Sequence, residues 1–481
     1  MKFLRSIALI MFVAVPVLSQ QAPDPAPPKL FGADVTASVR ARAEAWDWFD
    51  TSLADGNYSF FEYVFRFGIG QRHSSWDWKL ELEQPTLAGL PSDAIARAPQ
   101  GQLGGGAAYF ASNGENAASV FLKQGYVRLK GFVGDQSALQ LGRFEFIEGQ
   151  EGSHSNATVN ELRSSRIAHR LIGNFSFSDV GRSFDGLQFT NSALHGAFDL
   201  MGARATPGVY NVDGLGELDT DVIYGGYTHP TTKSSAGEWR FFGIGYHDGR
   251  LVTKTDNRAL AVRHGDSENI RIGTFGGDAI QTFKLFGGTA DLLAWGAWQT
   301  GSWGMLAQRA GALSLEGGYQ FNARWKPWIR GGYTRGTGDS NSADRTHGTF
   351  FQILPTPRIY ARFPFFNMMN NQDLFSEFIF RPSAKLTFRS DVHSLWLSNA
   401  HDLWYQGGGA YENATFGYSG RPSGGSDSLA TMFDVSGDYK FSRHWSVTGY
   451  FADAQGKTVV RNIYPNGSTA RFGYGEVNWT F

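Results

Sequence analysis

The amino-acid sequence predicts an all-β protein, a transmembrane antiparallel up-and-down β-barrel of about 18 strands, with 16 also compatible. Three observations predict it: an N-terminal export signal, segments in which apolar and polar residues alternate, and an aromatic residue, Phe481, closing the final segment. The strand number follows from the roughly 450 residues after the N-terminal segment, at about 25 residues for each strand and its connection.

The N-terminal segment has the organisation of a secretory signal. Lys2 and Arg5 precede an apolar run from Ile7 to Leu18, which predicts a signal peptide over residues 1–19. The run is shorter than the ~20 residues that span a bilayer. Residues 20–32 are rich in proline and predict an extended periplasmic tether, so the barrel domain is expected over residues 33–481. The expected location is the bacterial outer membrane.

Composition narrows the class further. The chain has 60 glycines, no cysteine, 15% aromatic and 18% charged residues, and a mean hydropathy of −0.29. No later stretch approaches 18 consecutive apolar residues, which excludes helical membrane spans after the signal. A polar mean with many aromatics suits a barrel that is apolar outside and wet inside. The sequence predicts no cofactor, and a net charge of −1 without a basic block argues against nucleic-acid binding.

The alternation is clearest from Trp76 to Glu83, where four apolar residues occupy one face and four charged residues the other. The same period recurs over residues 35–43, 61–69, 313–321, 386–393, 433–441 and 445–451. Aromatics near strand ends favour the interfacial girdles of a membrane barrel over the aliphatic core of a soluble β-sandwich. Around residues 139–146 and 241–246 both faces carry large side chains, and the pattern alone does not explain them.

The connections divide into short and long. The short turn Asp55-Gly56-Asn57 is predicted on the periplasmic side. Long extracellular loops are expected over residues 85–115, 148–180, 251–269, 334–355 and 399–427. A wide barrel leaves an open lumen unless loops fold into it, so these loops are predicted to form the constriction. For any single one of them, an ordinary surface loop is the competing interpretation.

Arginine dominates the basic residues, and several arginines fall on the polar faces of predicted strands. Because charge facing hydrocarbon is costly, Arg40, Arg42, Arg66 and Arg389 are predicted to line the lumen. The forked guanidinium matches carboxylate or phosphate, so a ladder of arginines would pass anionic solutes. The alternative is that these arginines pair with Glu and Asp to make a hydrated wall.

Two further segments concentrate basic residues. The first has Arg163, Arg166, His169 and Arg170, followed by Arg182. The second has Arg324, Lys326, Arg330 and Arg335 around Trp325 and Trp328. Tryptophan beside cations predicts a stacking surface for an acidic saccharide, and Arg330 is therefore a further pore candidate. An interfacial girdle is the alternative for Trp328.

Short motifs in order along the chain resemble the alginate-export family of outer-membrane barrels. They are residues 141–144, 182–189, 332–339 and 360–375, and the similarity extends over most of the chain from Val35. The resemblance implies a wide monomeric barrel with an arginine-lined, partly acidic lumen gated by loops. It also implies that Arg143, Arg182, Asp185 and Arg335 are pore or constriction residues.

The expected function is a passive outer-membrane channel, not an enzyme, that passes anionic saccharides such as alginate-like polyuronates, or related organic anions. The alternatives are a general or sugar-specific porin for uptake and a barrel hydrolase. His154-Ser155-Asn156 has the residue types of a hydrolase, but adjacent His and Ser on a strand would face opposite sides. The expected partners are the anionic solute, outer-membrane lipid and the barrel-assembly machinery, reached through the strand ending at Phe481.

Overall fold

The computed structural model describes residues 28–152, 154–192, 195–231 and 236–481. The predicted signal peptide, and the predicted tether as far as residue 27, lie outside the described residues. At the start of the described chain, Lys29 and Leu30 fold back on Ala33 and Asp34 in a tight hairpin.

Eighteen antiparallel strands form a closed barrel, which confirms the predicted fold class. The strands are β1 Ala33–Asp47, β2 Asn57–Arg72, β3 Trp76–Ala88, β4 Phe121–Lys130, β5 Ser137–Phe144, β6 Phe184–Asn191, β7 Ala197–Ala205, β8 Thr220–Pro230, β9 Gly237–Asp248, β10 Ile270–Leu285, β11 Gly288–Trp303, β12 Leu306–Gln320, β13 Trp328–Gly336, β14 Asn371–Ser383, β15 Leu386–Leu397, β16 Ser428–Lys440, β17 Trp445–Gly456 and β18 Thr469–Thr480. Each strand pairs with the next, and β18 pairs with β1, so that Thr480 lies opposite Ser38. Closure pairs each of the eighteen barrel strands on both sides, so the barrel has no edge strand.

The helices all lie in the connections. They are α1 Gly105–Asn113, α2 Ala157–Leu162, α3 Leu260–His264 and α4 Thr458–Ile463, with a π-helical turn over Arg163–Ile167 and a 3₁₀ turn over Pro357–Ile359. No helix in the described ranges is long and apolar enough to cross a membrane. A small two-stranded sheet pairs Leu403–Gly407 with Tyr418–Pro422.

The two ends of the barrel differ in the length of their connections. One end carries short turns such as residues 73–75, 286–287 and 384–385. The other end carries the β3–β4 loop (89–120), the β5–β6 loop (145–183), the β9–β10 loop (249–269), the β13–β14 loop (337–370) and the β15–β16 loop (398–427). Short turns mark the periplasmic end of such barrels and long loops the extracellular end.

One turn lies at the opposite end from its prediction. Asp55 and Gly56 close the β1–β2 connection, residues 48–56, at the extracellular end with the long loops. Because β1 starts at the periplasmic end, the first connection emerges outside whatever its length. The position of a connection in the strand order, and not its length, decides whether it lies at the periplasmic or the extracellular end of the barrel.

The exposure of the strands follows the predicted alternation. On β3, Leu80 and Leu82 are 46% and 47% exposed, whereas Glu81 and Glu83 are buried. The apolar side chains therefore face lipid and the charged ones face the lumen.

The extracellular half of the lumen is packed like the core of a soluble protein. Phe242 and Tyr246 of β9 point inward, where Tyr246 packs against Phe351 of the β13–β14 loop with ring centroids 5.5 Å apart. Their outward neighbour Phe241 is 66% exposed and faces the bilayer. This explains why residues 241–246 carry large side chains on both faces: one face meets lipid and the other meets folded-in loops.

Candidate solute pathway

Two loops far apart in the sequence join inside the lumen. The Gly173 amide donates to the Leu354 carbonyl at 2.8 Å, and the Leu354 amide donates to the Leu171 carbonyl at 2.8 Å. The Thr356 amide donates to the His169 carbonyl at 2.9 Å. The β5–β6 and β13–β14 loops thus form a short parallel pairing; together with the β15–β16 loop they are called the plug below.

Arg182 joins all three plug loops. Its Nη1 donates to the carbonyls of Gly173 and Leu354, both at 3.0 Å, and its Nη2 to those of Gly408 and Ala410 at 2.9 and 3.1 Å. The side chain is fully buried. Burial lowers the pKa of Arg182 to about 10, so the guanidinium stays charged at neutral pH. Its donors are directed at loop backbone, which gives Arg182 a role in holding the plug.

The first basic segment anchors the plug to the barrel wall. Arg166 donates to Glu316 of β12 at 2.7 and 3.0 Å, and Arg170 lies 3.6 Å from the same carboxylate. Arg163 donates through Nε to Glu238 of β9 at 2.8 Å. Removing one partner of such a buried pair leaves an uncompensated charge and is strongly destabilising. Burial also lowers the pKa of His169 to about 4, so this imidazole is neutral at pH 7.

Five of the predicted pore arginines occupy lumen-facing positions, and each has a carboxylate partner. Arg42 pairs with Glu62 at 2.8 Å and Glu476 at 2.6 Å, and Arg330 pairs with Asp291 at 3.1 Å. The other three pairs are Arg40 with Asp179 at 3.1 Å, Arg66 with Glu83 at 2.5 Å and Arg389 with Glu377 at 3.0 Å. The side chains of Arg40, Arg66 and Arg389 keep 19%, 25% and 27% exposure, whereas Arg42 and Arg330 are buried.

Three residues singled out by the family resemblance face the outside of the barrel. Arg143 and Asp185 pair with each other, Nε to Oδ1, at 2.7 Å, on the face that carries exposed Leu141 and Leu187. Arg335 is exposed on the outer face of β13. All three stand near the extracellular ends of their strands. The rule that charge points inward applies to the hydrocarbon band, and beyond it a charged side chain can face outward.

The second basic segment does not come together as one surface. Trp325 is half exposed in the periplasmic turn between β12 and β13, with the Arg324 guanidinium 5.6 Å from its ring centroid. Trp328 is buried, faces inward, and donates through Nε1 to Asp291 at 2.8 Å. Trp328 is therefore neither an interfacial girdle residue nor an exposed stacking surface; the girdle interpretation is wrong, because the residue starts β13 on its inner parity.

A cavity of about 700 Å³ lies where seven extracellular connections meet the wall formed by β1 and β18. Its aromatic lining consists of Trp46, Trp48, Tyr109, Phe175, Phe177, Tyr210, Tyr411, Phe416, Tyr418 and Phe472. A volume of this size lies within the range of about 300–1,000 Å³ typical of small-molecule sites.

Three arginines that sequence reasoning did not single out line this cavity: Arg358, Arg362 and Arg421. Within the described ranges none of them forms an ion pair with a carboxylate. All three donor nitrogens of Arg421 have partners: they donate to the carbonyls of Gln100 and Gln102 and to the side chain of Gln406. Arg362 lies over the ring of Tyr450 at 5.2 Å. Nη1 of Arg358 and Nη1 of Arg362 are buried without a hydrogen-bond partner.

The sequence does contain a signal for two of these arginines. Between Asp344 and Asp373 no acidic residue occurs, although Arg345, Arg358 and Arg362 fall in that stretch. A run of arginines without acids is the pattern expected of an anion site, because buried donors need a partner.

The His154-Ser155-Asn156 segment has structural uses. His154 Nε2 lies 3.1 Å from the Gly237 carbonyl, and its Nδ1 accepts from the Asn156 amide at 3.0 Å. The Asn156 side chain caps α2 by accepting from the amides of Thr158 and Val159. These contacts account for His154 and Asn156 without a hydrolytic role.

Comparison with known proteins agrees with this architecture. The structure is similar to OpdK of Pseudomonas aeruginosa with vanillate, at 9% identity and a TM-score of 0.53, covering 93% of this chain and 98% of that one. It is also similar to OccAB2 of Acinetobacter baumannii, at 8% identity and a TM-score of 0.54, with the same coverage of both chains. No curated protein sequence matches the chain.

The similarity at this identity establishes the fold, and the family is established separately by the sequence. The family model described as alginate export matches residues 111–449, well over half of the chain. Relatives by fold and family are outer-membrane proteins of the channel or porin type. The protein therefore belongs to the alginate export family and is an outer-membrane channel.

Proposed function

We propose that this channel passes anionic saccharides or related organic anions, and that the aromatic cavity is where it selects them. One observation carries the proposal: Arg358 and Arg362 line the cavity with no carboxylate partner in the described ranges, and Nη1 of each is buried without a hydrogen-bond partner. The arginines of the lumen wall, in contrast, are paired with carboxylates. Unpaired guanidinium groups are the donors that a solute carboxylate can satisfy.

The chemistry of the lining suits a solute with both a charge and a ring. Buried aromatic faces offer stacking surface for a sugar or an aromatic ring, while the arginines take the carboxylate in a forked, two-point hydrogen bond. The similar barrel OpdK is described with vanillate, an organic anion, and this supports a small carboxylate as one class of solute.

From the cavity, the solute would pass next to Arg66 and Arg389, which are partly exposed on the lumen wall. Each is paired with a carboxylate of the wall, so it attracts an anion less strongly than Arg358 and Arg362 do. Arg40 is paired instead with Asp179 of the plug. The solute can leave the cavity because the next sites along the lumen bind it only weakly. Conduction requires binding that is weak enough for the solute to move on. No bond is made or broken.

Planar-bilayer recordings test the proposal. The wild-type channel is expected to be anion-selective and to be blocked by an oligouronate but not by a neutral oligosaccharide of the same length. The R358Q/R362Q variant is expected to need at least about tenfold more oligouronate for the same block, since each lost charged hydrogen bond is worth about 1.5–3 kcal/mol.

The matched control is Arg335→Gln, which removes an arginine from the outer face and is expected to leave the block unchanged. Cation selectivity, or equal block by the neutral and acidic oligosaccharides, would contradict the proposal and favour a general porin. The monomeric state and insertion by the barrel-assembly machinery through β18 stay predictions.

A further inference from the structure

A row of acidic side chains crosses the inner face of β14, β15 and β16. The register places Glu377 opposite Asp391, and Asp391 opposite Asp434. Glu377 is neutralised by Arg389 at 3.0 Å and by Arg330 at 3.6 Å. Asp391 and Asp434 form no ion pair with a lysine or arginine in the part of the chain that the structure describes. Like charges directly opposite on neighbouring strands are destabilising, so a bound cation would stabilise this pair.

A histidine stands beside the two carboxylates. His393 is on β15, two residues from Asp391 and on the same face, and it is 1% exposed. Its Nδ1 lies 2.8 Å from Oδ2 of Asp373, and its Nε2 is buried without a hydrogen-bond partner. One ring nitrogen of His393 and one carboxylate oxygen each of Asp391 and Asp434 lie within 4.8 Å of one another. Since Asp373 holds Nδ1, Nε2 is the nitrogen left to bind.

We propose that Asp391, His393 and Asp434 bind a divalent transition-metal ion of the zinc type. Imidazole nitrogen with carboxylate oxygen is a donor set that Zn²⁺ accepts, and three protein ligands leave a fourth position open. Mg²⁺ and Ca²⁺ prefer oxygen donors in larger number, so they fit this set less well. Ligand atoms about 2.0–2.2 Å from a tetrahedral ion are roughly 3.4 Å apart, a spacing that small rotations of the aspartates reach.

The surroundings have the order expected around a bound metal. Asp373 accepts the Nδ1–H of His393, which fixes the ring and leaves Nε2 as the ligand; a carboxylate in this position is the usual partner of a metal-bound histidine. The Tyr450 hydroxyl donates to Oδ2 of Asp434 at 3.0 Å and orients the second carboxylate. A metal here would link β15 to β16 and offset negative charge on the lumen wall.

Isothermal titration with ZnCl₂ tests the site in the full-length protein, folded in detergent and stripped with EDTA. One ion is expected to bind per chain with micromolar or tighter affinity. His393→Gln and Asp434→Asn are expected to weaken binding at least a hundredfold, and Asp373→Asn by about ten- to a hundredfold. Asp438→Asn, on the inner face of the same strand as Asp434, keeps the three ligands and is expected to bind like the wild type.

A second measurement keeps the inference testable if a variant fails to fold. The wild type loaded with Co²⁺ is expected to show the visible absorption of a low-symmetry site with nitrogen and oxygen ligands, which Zn²⁺ abolishes on titration. Absence of one-to-one Zn²⁺ binding to the wild type, equal affinity for Mg²⁺, or wild-type affinity in a folded His393→Gln variant would each overturn the proposal.

Discussion

The two halves of the lumen are built from the same strands and differ in what fills them. In the extracellular half, inward side chains pack against the plug: Trp303 and Phe351 are buried, with ring centroids 5.1 Å apart. In the periplasmic half, inward side chains such as Arg66 and Arg389 are partly exposed and held by carboxylates of the wall. An inward side chain is therefore packed in a core where a plug loop reaches it, and lines the open lumen where no plug loop does.

Replacing Arg182 by Met should have the largest effect on the difference between the packed and the open half of the lumen. Four loop carbonyls would lose a charged donor, and each such hydrogen bond is worth about 1.5–3 kcal/mol. We expect a barrel that still closes, with a loosened plug and a single-channel conductance raised severalfold. Arg335→Met serves as the control. An unchanged conductance in Arg182→Met would show that the plug does not depend on the hydrogen bonds of Arg182.

Truncating one aromatic residue in each half should give unequal losses of stability. Trp303→Ala empties a packed position and is expected to lower the free energy of unfolding by about 3–5 kcal/mol. Tyr126→Ala, on the inner face of β4 in the periplasmic half, is expected to cost less than about 1.5 kcal/mol because the side chain is only partly buried. Urea unfolding in lipid vesicles measures both, and equal losses would contradict a packed and an open half.

Acid should weaken the packed half through a buried histidine. Burial lowers the pKa of His347 from 6.5 to about 3, and its ring stacks on Trp303 with centroids 4.1 Å apart. The stability due to the neutral ring is fully present above pH 6.5. It is lost as pH falls from 6.5 towards 3, because the unfolded chain takes up a proton that the folded chain excludes.

The comparison with His347→Gln isolates this effect. Burial raises the pKa of Asp402 to about 6, which acts in the opposite direction and is common to both proteins. Between pH 6 and pH 4 the wild type is expected to lose stability more steeply than the variant, by up to about 1.4 kcal/mol per pH unit. Parallel pH profiles would show that this histidine does not titrate with unfolding.

The smallest effect is expected in the periplasmic wall. Arg389→Gln removes one partly exposed cation whose charge is already balanced by Glu377 at 3.0 Å. The anion-to-cation permeability ratio, taken from reversal potentials in a salt gradient, is expected to fall by less than about twofold, since a partly exposed ion pair is worth about 0–1 kcal/mol. A tenfold fall would place the main selectivity in the wall and not in the cavity.

In the proposed function, selectivity and closure rest on different arginines. Those of the wall pair with acids, Arg182 and Arg421 bind loop backbone, and Arg358 and Arg362 offer free donors to the cavity. One residue type performs three tasks, and its partner decides which. Residue type alone could not separate them.

The sequence by itself determined the barrel, its lipid-facing surface and its strands. Period-two alternation is a local property, so Leu80 and Leu82 reveal the outer face without any knowledge of distant contacts. Long polar stretches marked the loops, and the family motifs marked the relatives. The same local rule also placed Arg40, Arg42, Arg66 and Arg389 on inward positions, whereas Arg330 was predicted from the tryptophans beside it.

Only the tertiary structure decided what each inward side chain meets. Arg182 binds Gly408, 226 residues away, and no local pattern encodes that contact. The alternation rule also cannot separate Arg335, which faces outward, from Arg66, which faces the lumen. The rule does not show where along a strand the hydrocarbon of the membrane ends. Period two chooses between two faces of a sheet, whereas the plug, the cavity arginines and the acidic row opposite His393 depend on how distant segments meet inside a closed barrel.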